Sequence, residues 1–175
     1  MHIGLFGLSG SGKTTLREEF CNQHPNFIGT SISSLLKAAN SPIDAFTTPT
    51  KLLSKNQFTA LNEHLKFIAA HADTITDMHA VIEISNGNYW VEKEILNSFK
   101  IDIAFFIFCP LPQLIYQRSK PGEKKRKELK EQELSKLQNM ALKHLQDSLS
   151  IPLFILNKPP YINSLNQIID EHTRS

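Results

Sequence analysis

The stretch Phe6-Gly-Leu-Ser-Gly-Ser-Gly-Lys-Thr-Thr15 decides how this chain is read. Within it, Gly7 to Thr14 fits G-x-x-x-x-G-K-[ST] at every fixed position. The short apolar run His2–Phe6 precedes it, and a helix is expected from Lys13 to about Asn22, which gives the strand–loop–helix context the pattern requires. Gly7, Gly10 and Gly12 permit turns that a Cβ resists and let backbone N–H groups close on phosphates. The N-terminus of the following helix adds a partial positive charge. Lys13 is expected to reach the β- and γ-phosphates and the Thr14 hydroxyl to ligand Mg²⁺, with Ser9, Ser11 and Thr15 in the same nucleotide-binding set. The cofactors so implied are ATP and Mg²⁺.

Working outward, the punctuation predicts alternating strands and helices, hence a parallel sheet covered on both faces. Strands are expected at His2–Phe6, Phe27–Thr30, Met78–Ile84, Asp102–Cys109 and Pro152–Leu156. The fourth is apolar at nearly every position, as a central strand buried on both sides should be. A short helix follows the second strand over Ser31–Ala39, then an irregular connection through Pro42 and Pro49. A long helix should open on the capping pattern Ser54-Lys-Asn-Gln57 and carry Phe58, Leu61, Leu65, Ile68, Ala72 and Ile75 on one face. Tyr89–Phe99, a segment from after Pro110 and Pro112 to about Ser119, Glu128–Leu149 and Ile162–His172 read as the remaining helices. The whole chain, 1–175, is expected to be one α/β domain with five parallel strands.

Composition narrows the class. A chain of 175 residues can bury roughly 70% of its unfolded surface in one core. With 41% hydrophobic and 21% charged residues, wholesale disorder is excluded. The formal charge of +2 does not demand a nucleic acid, and the run Lys124–Lys127 leaves that partner open without supporting it. Cys21 and Cys109 show neither metal-ligand spacing nor a disulfide framework, so they read as free thiols in a reducing compartment. Met1–Phe6 lacks a basic n-region, and Ile103–Cys109 is far shorter than the ~20 residues of a membrane span. A cytoplasmic protein without membrane contact is expected.

The phosphate loop does not choose a reaction. Asn157-Lys158 is followed by Pro159-Pro160, so the N-K-x-D motif of regulatory GTPases is absent. The arrangement resembles the P-loop nucleoside monophosphate kinases, nearest to the archaeal-type adenylate kinases. That family has a glycine-threonine after its second strand, matched by Gly29-Thr30-Ser31 and the helix after it. It has an apolar strand ending in an acid near Mg²⁺, for which Ala80-Val-Ile-Glu83 is the match, with Glu in place of the more usual Asp. Arg118, a lid at about 119–127 and the helix from Glu128 follow the family's order, and Phe154–Lys158 fits loosely the segment that frames the purine. The resemblance implies a three-layer α/β/α sandwich with strand order 2-3-1-4-5 and an acceptor-site segment at about 31–76. It also implies transfer of the ATP γ-phosphoryl group to a nucleoside monophosphate. The loop wording is similar to that of adenylylsulfate and sugar-acid kinases too.

The candidate catalytic residues are therefore Lys13, Arg118, Glu83 and Arg126, with Thr14 and Glu83 toward the metal and Asn157 toward the base. One departure stands out: between Arg17 and Arg118 there is no arginine, and Lys37, Lys51, Lys55 and Lys66 are the cations on the acceptor side. Arginine's planar fork suits phosphate better than lysine's point charge. Conversely, Thr30, Ser31 and Ser33 follow the second strand with no carboxylate before Asp44, and a hydroxyl acceptor needs a base. A hydroxyl acceptor on a small molecule, nucleoside or nucleic acid is the alternative, and a nucleotide-binding regulatory ATPase a further one.

Overall fold

The computed structural model describes residues 1–41, 49–120 and 128–173, with the backbone alone at 50 and 51. Its main sheet runs, edge to edge, through Phe27–Ser31 (β2), Asp73–Asp77 (β3), His2–Phe6 (β1), Ile103–Ile107 (β6) and Leu153–Leu156 (β7), every neighbouring pair parallel. Counted within this sheet alone the order is 2-3-1-4-5. Two further strands, Val81–Ile84 (β4) and Gly87–Trp90 (β5), form a separate antiparallel hairpin. The helices are Lys13–Gln23 (α1), Ile32–Ala38 (α2), Thr50–Ala69 (α3), Lys93–Ser98 (α4), Leu111–Ser119 (α5), Glu131–Ser148 (α6) and Tyr161–Thr173 (α7).

The crossover from β1 to β2 steps one way along the sheet and every later crossover steps the other way. Right-handed connection therefore puts α1 on one face and α3, α4 and α6 on the opposite face. α7 joins α1, with Asn166 bonded to both Gln23 and His24. The result is the three-layer α/β/α sandwich. Its centre is β6, buried at all five positions, beside Ile3, Leu5 and Phe6 of β1. Just past β6, the buried Gln138 of α6 exchanges two 3.0 Å bonds with the backbone N–H and carbonyl of Cys109. That exchange satisfies backbone groups where the strand ladder stops.

The third strand is not where the hydrophobic pattern places it. It is Asp73-Thr-Ile-Thr-Asp77, and the expected strand Met78–Ile84 instead begins the hairpin. Likewise the long helix ends at Ala69 instead of running to Ile75, and Tyr89 and Trp90 belong to β5, leaving α4 only Lys93–Ser98. The physical reason is hydrogen bonding. Thr74 and Thr76 are fully buried, and each hydroxyl meets a histidine: Thr74 Oγ1 lies 3.0 Å from His2 Nδ1, and Thr76 Oγ1 lies 3.1 Å from His64 Nε2. A buried β-branched residue whose hydroxyl is satisfied fits an inner strand as well as valine does. Past the end of the helix, the Ala72 carbonyl and the Asp73 carboxylate both accept from the terminal ammonium of Met1, at 3.0 and 2.7 Å.

Candidate functional site

The phosphate loop joins the C-terminal end of β1 to α1. Gly7, Gly10 and Gly12 all have positive φ, at 150°, 89° and 93°. A Cβ on Gly7 would also fall 2.6 Å from Ser11 Oγ, so this turn admits glycine for space as well as for conformation. Gly12 is the residue that opens α1. Lys13, although charged, is buried, and its ammonium donates to the carbonyls of Gly7 (2.7 Å) and Leu8 (3.0 Å). The lysine thus spans the loop from which it springs, while Thr14 and Thr15 stand exposed at the first turn of α1.

The Thr14 hydroxyl donates 3.0 Å to Oδ2 of Asp77 at the end of β3. Register fixes this meeting, because Asp77 pairs with Leu5 of β1 and so ends its strand level with the start of the loop. Arg17, one turn along α1, donates to the same Asp77 oxygen at 2.9 Å and to the Thr30 carbonyl at 3.0 Å. Gly29 leaves room for that arginine: a Cβ there would lie 3.0 Å from both Arg17 Cδ and Cys21 Sγ. The acid that ends the strand beside the loop strand is therefore Asp77, not Glu83. Asp77 and Arg17 were not singled out from sequence; the signal was Thr-Ile-Thr between two aspartates, a β-branched run with polar ends.

Glu83 sits on the hairpin and holds Arg118 bidentately, Nη1 to Oε1 at 2.8 Å and Nη2 to Oε2 at 2.7 Å. Arg118, near the end of α5, also donates 3.1 Å to the Ser9 carbonyl of the loop. Two sequence candidates expected to act on different groups are thus joined to each other. Asn157 follows β7 directly and is exposed. Arg126, the 121–127 part of the lid expected at about 119–127, and Asp44 lie outside the described residues. On the acceptor side Lys37, Lys55 and Lys66 are exposed, with Lys66 paired to Glu63 at 2.6 Å. Ser31 Oγ lies 3.1 Å from Ser33 Oγ and 2.7 Å from Ser34 Oγ, and caps α2 by accepting from the Ser34 N–H.

Burial and charge shape the protonation of groups near this frame. Burial, then the nearby His2, lowers His64 to a pKa of about 4, so it packs against Thr76 and Phe99 as a neutral ring. Burial raises both thiols, Cys21 and Cys109. Among the described residues no three His, Cys, Asp or Glu side chains form a metal cluster, and no helix is long and apolar enough to cross a membrane. The hard oxygens of Thr14 and Asp77 are the donor types Mg²⁺ takes, a cation that otherwise keeps its water and phosphate ligands.

No family model matches the sequence, and no curated protein is similar to it. Solved structures do match the fold. Shikimate kinase from Acinetobacter baumannii superposes with a TM-score of 0.66 at 13% identity, over 99% of this chain and 93% of its own. A sugar kinase from Janibacter gives 0.66 at 16%, over 97% and 94%. Deoxyadenosine kinase from M. mycoides gives 0.59 at 14%, over the full length of both chains. The chain therefore has the three-layer fold of these P-loop kinases.

Proposed function

We propose that this chain is a Mg²⁺·ATP-dependent phosphotransferase acting on a small-molecule acceptor. The observation that carries the reading is the buried Lys13 spanning a three-glycine loop, with the Thr14 hydroxyl 3.0 Å from a strand-end carboxylate. Bound Mg²⁺·ATP would supply the transferable γ-phosphoryl group and part of the charge that neutralises it. The backbone N–H groups of Gly7–Thr14 would hold the phosphates, with Ser9, Ser11 and Thr15 around them and Lys13 turned from its own loop carbonyls toward the anion. Thr14 and Asp77 would hold the metal, Asp77 taking the place expected for Glu83. Arg118, already against the loop at Ser9, would stabilise charge on the departing phosphoryl oxygens. Asn157, exposed after β7, is proposed to border the base. The chemistry is positioning and charge neutralisation, with no covalent step on the protein.

For the acceptor we favour a hydroxyl. Lys37, Lys55 and Lys66 are exposed and supply no buried fork for a phosphate, and the similar folds named above belong to shikimate, sugar and deoxyadenosine kinases. A nucleoside monophosphate is the second reading, supported by Thr30, Ser31 and Ser33 where a base for a hydroxyl would be useful. A screen with γ-labelled ATP against nucleosides, sugars, sugar acids, shikimate and nucleoside monophosphates decides between them. Label on a hydroxyl compound with silence on every monophosphate supports the first reading. Label confined to monophosphates reverses it, and rapid hydrolysis with no acceptor turnover points to an ATPase.

A further inference from the structure

The β4–β5 hairpin belongs to neither outer layer, and its two faces meet different parts of the molecule. Its register pairs Val81 with Trp90, Ile82 with Tyr89 and Glu83 with Asn88. Opposed residues share a face, so Val81, Glu83, Asn88 and Trp90 lie on one side and Ile82 and Tyr89 on the other. From the first side Glu83 grips Arg118 of α5, and the Trp90 ring meets His144 of α6 edge-on at 5.3 Å. His144 also bonds the Val91 carbonyl at 2.8 Å, just past the hairpin. From the second side the Tyr89 hydroxyl lies 3.2 Å from Ser54 Oγ of α3, the long helix of the acceptor-side segment.

We propose that Glu83 is a positioning residue that holds Arg118 against the phosphate loop, and that the hairpin carrying it links the nucleotide site to α3. A two-stranded hairpin has little stability of its own, so its place is set by what it touches. The bidentate bond fixes both the distance and the plane of the guanidinium, which a single bond would not. Arg118 in turn touches the loop through Ser9, so phosphates arriving in the loop pull on the arginine, and the arginine pulls on the hairpin. Tyr89 passes that displacement to Ser54 and α3 on the far side. Acceptor-side and nucleotide-side contacts are thereby coupled through one small element that belongs to neither.

The inference rests on the nucleotide reading above, and Trp90, the chain's single tryptophan, reports on the hairpin without needing an acceptor. Mg²⁺·ATP is titrated into the full chain and followed by calorimetry and by Trp90 emission. The wild type should show a saturable emission change with the calorimetric dissociation constant. Glu83→Gln and Arg118→Lys should still bind, within about threefold, but lose the emission change. Once an acceptor is found, Glu83→Gln should lower kcat by about 10- to 100-fold with little effect on the KM for ATP, and should have no further effect in an Arg118→Ala background. Calorimetric binding with silent Trp90 in the wild type would overturn the coupling. An equal kcat loss from Glu83→Gln with and without Arg118 would overturn the positioning role. No calorimetric binding at all would remove the nucleotide reading itself. Should Glu83→Gln lower the melting temperature too far for use, the wild-type and Arg118→Lys arms still decide the coupling, and Glu83→Asp, which keeps the charge but shortens its reach to Arg118, takes its place in the kcat comparison.

Discussion

Arg17–Asp77 and Arg118–Glu83 are both arginine–carboxylate pairs bordering the phosphate loop, but they hang on different supports. Asp77 ends a strand of the main sheet, locked by register to β1 and by Thr76 and His64 to the helix above it. Its arginine comes from α1 and also bonds the β2 carbonyl of Thr30. Glu83 lies on a hairpin outside the main sheet, and its arginine sits near the C-terminal end of α5. The buried fractions are alike, with Arg17 and Asp77 at 14% and 5% exposure and Arg118 and Glu83 at 7% and 11%. What differs is attachment: the first pair joins a main-sheet strand to α1, and the second ties a hairpin outside that sheet to α5. A metal partner suits the first, and a group that must adjust to the transferring phosphoryl suits the second.

The largest effect concerns the loop that both pairs border. Lys13→Ala should abolish turnover and most of the ligand-induced stabilisation, about 2.7 kcal/mol at ATP ~100-fold above its dissociation constant. Its circular dichroism should stay native; label transfer and thermal shift read both effects, and preserved turnover would end the kinase reading. Next, Asp77→Asn should lower kcat by about 10²- to 10³-fold and raise the Mg²⁺ concentration needed for half-maximal turnover. Glu83→Gln should leave that Mg²⁺ requirement unchanged. If the two variants swapped behaviours in a Mg²⁺ titration, the metal partner would be Glu83 after all.

The scaffold supporting Asp77 should be acid-sensitive. With its folded pKa near 4, below the 6.5 of the unfolded chain, His64 takes up its proton more readily when unfolded. The unfolded state therefore binds more protons between these values, and stability falls as pH drops from about 6.5 to about 4. The full shift corresponds to about 3 kcal/mol. Urea unfolding across that window should show the slope, and His64→Gln should flatten it; an unchanged slope would remove His64 from the brace. The smallest effect is expected at Gly29→Ala, where the new methyl presses on Arg17 and Cys21. A loss of about 1 kcal/mol is expected, with Arg17 shifted on Asp77, as read by chemical denaturation and by the Mg²⁺ titration.

The sequence by itself determined the phosphate loop, because its chemistry needs the eight contiguous residues Gly7–Thr14 with glycines at set places. It also determined β1, β6 and the helices α1, α5 and α7 to within a few residues, since their apolar periodicity is local. The β3 strand was hidden because two of its buried positions are threonines and its ends are aspartates, and only the fold brings His2 and His64 to the threonine hydroxyls. The hairpin was hidden because Ser85-Asn-Gly-Asn88 reads equally as the break after one strand or the turn between two. Glu83 and Arg118 were each legible as charged residues at element ends, but their bond spans 35 positions and depends on α5 crossing back to the loop. Local pattern fixes what a residue can do; which partner it does it with is decided by the crossovers and packing that bring distant segments level, and that is a property of the tertiary fold.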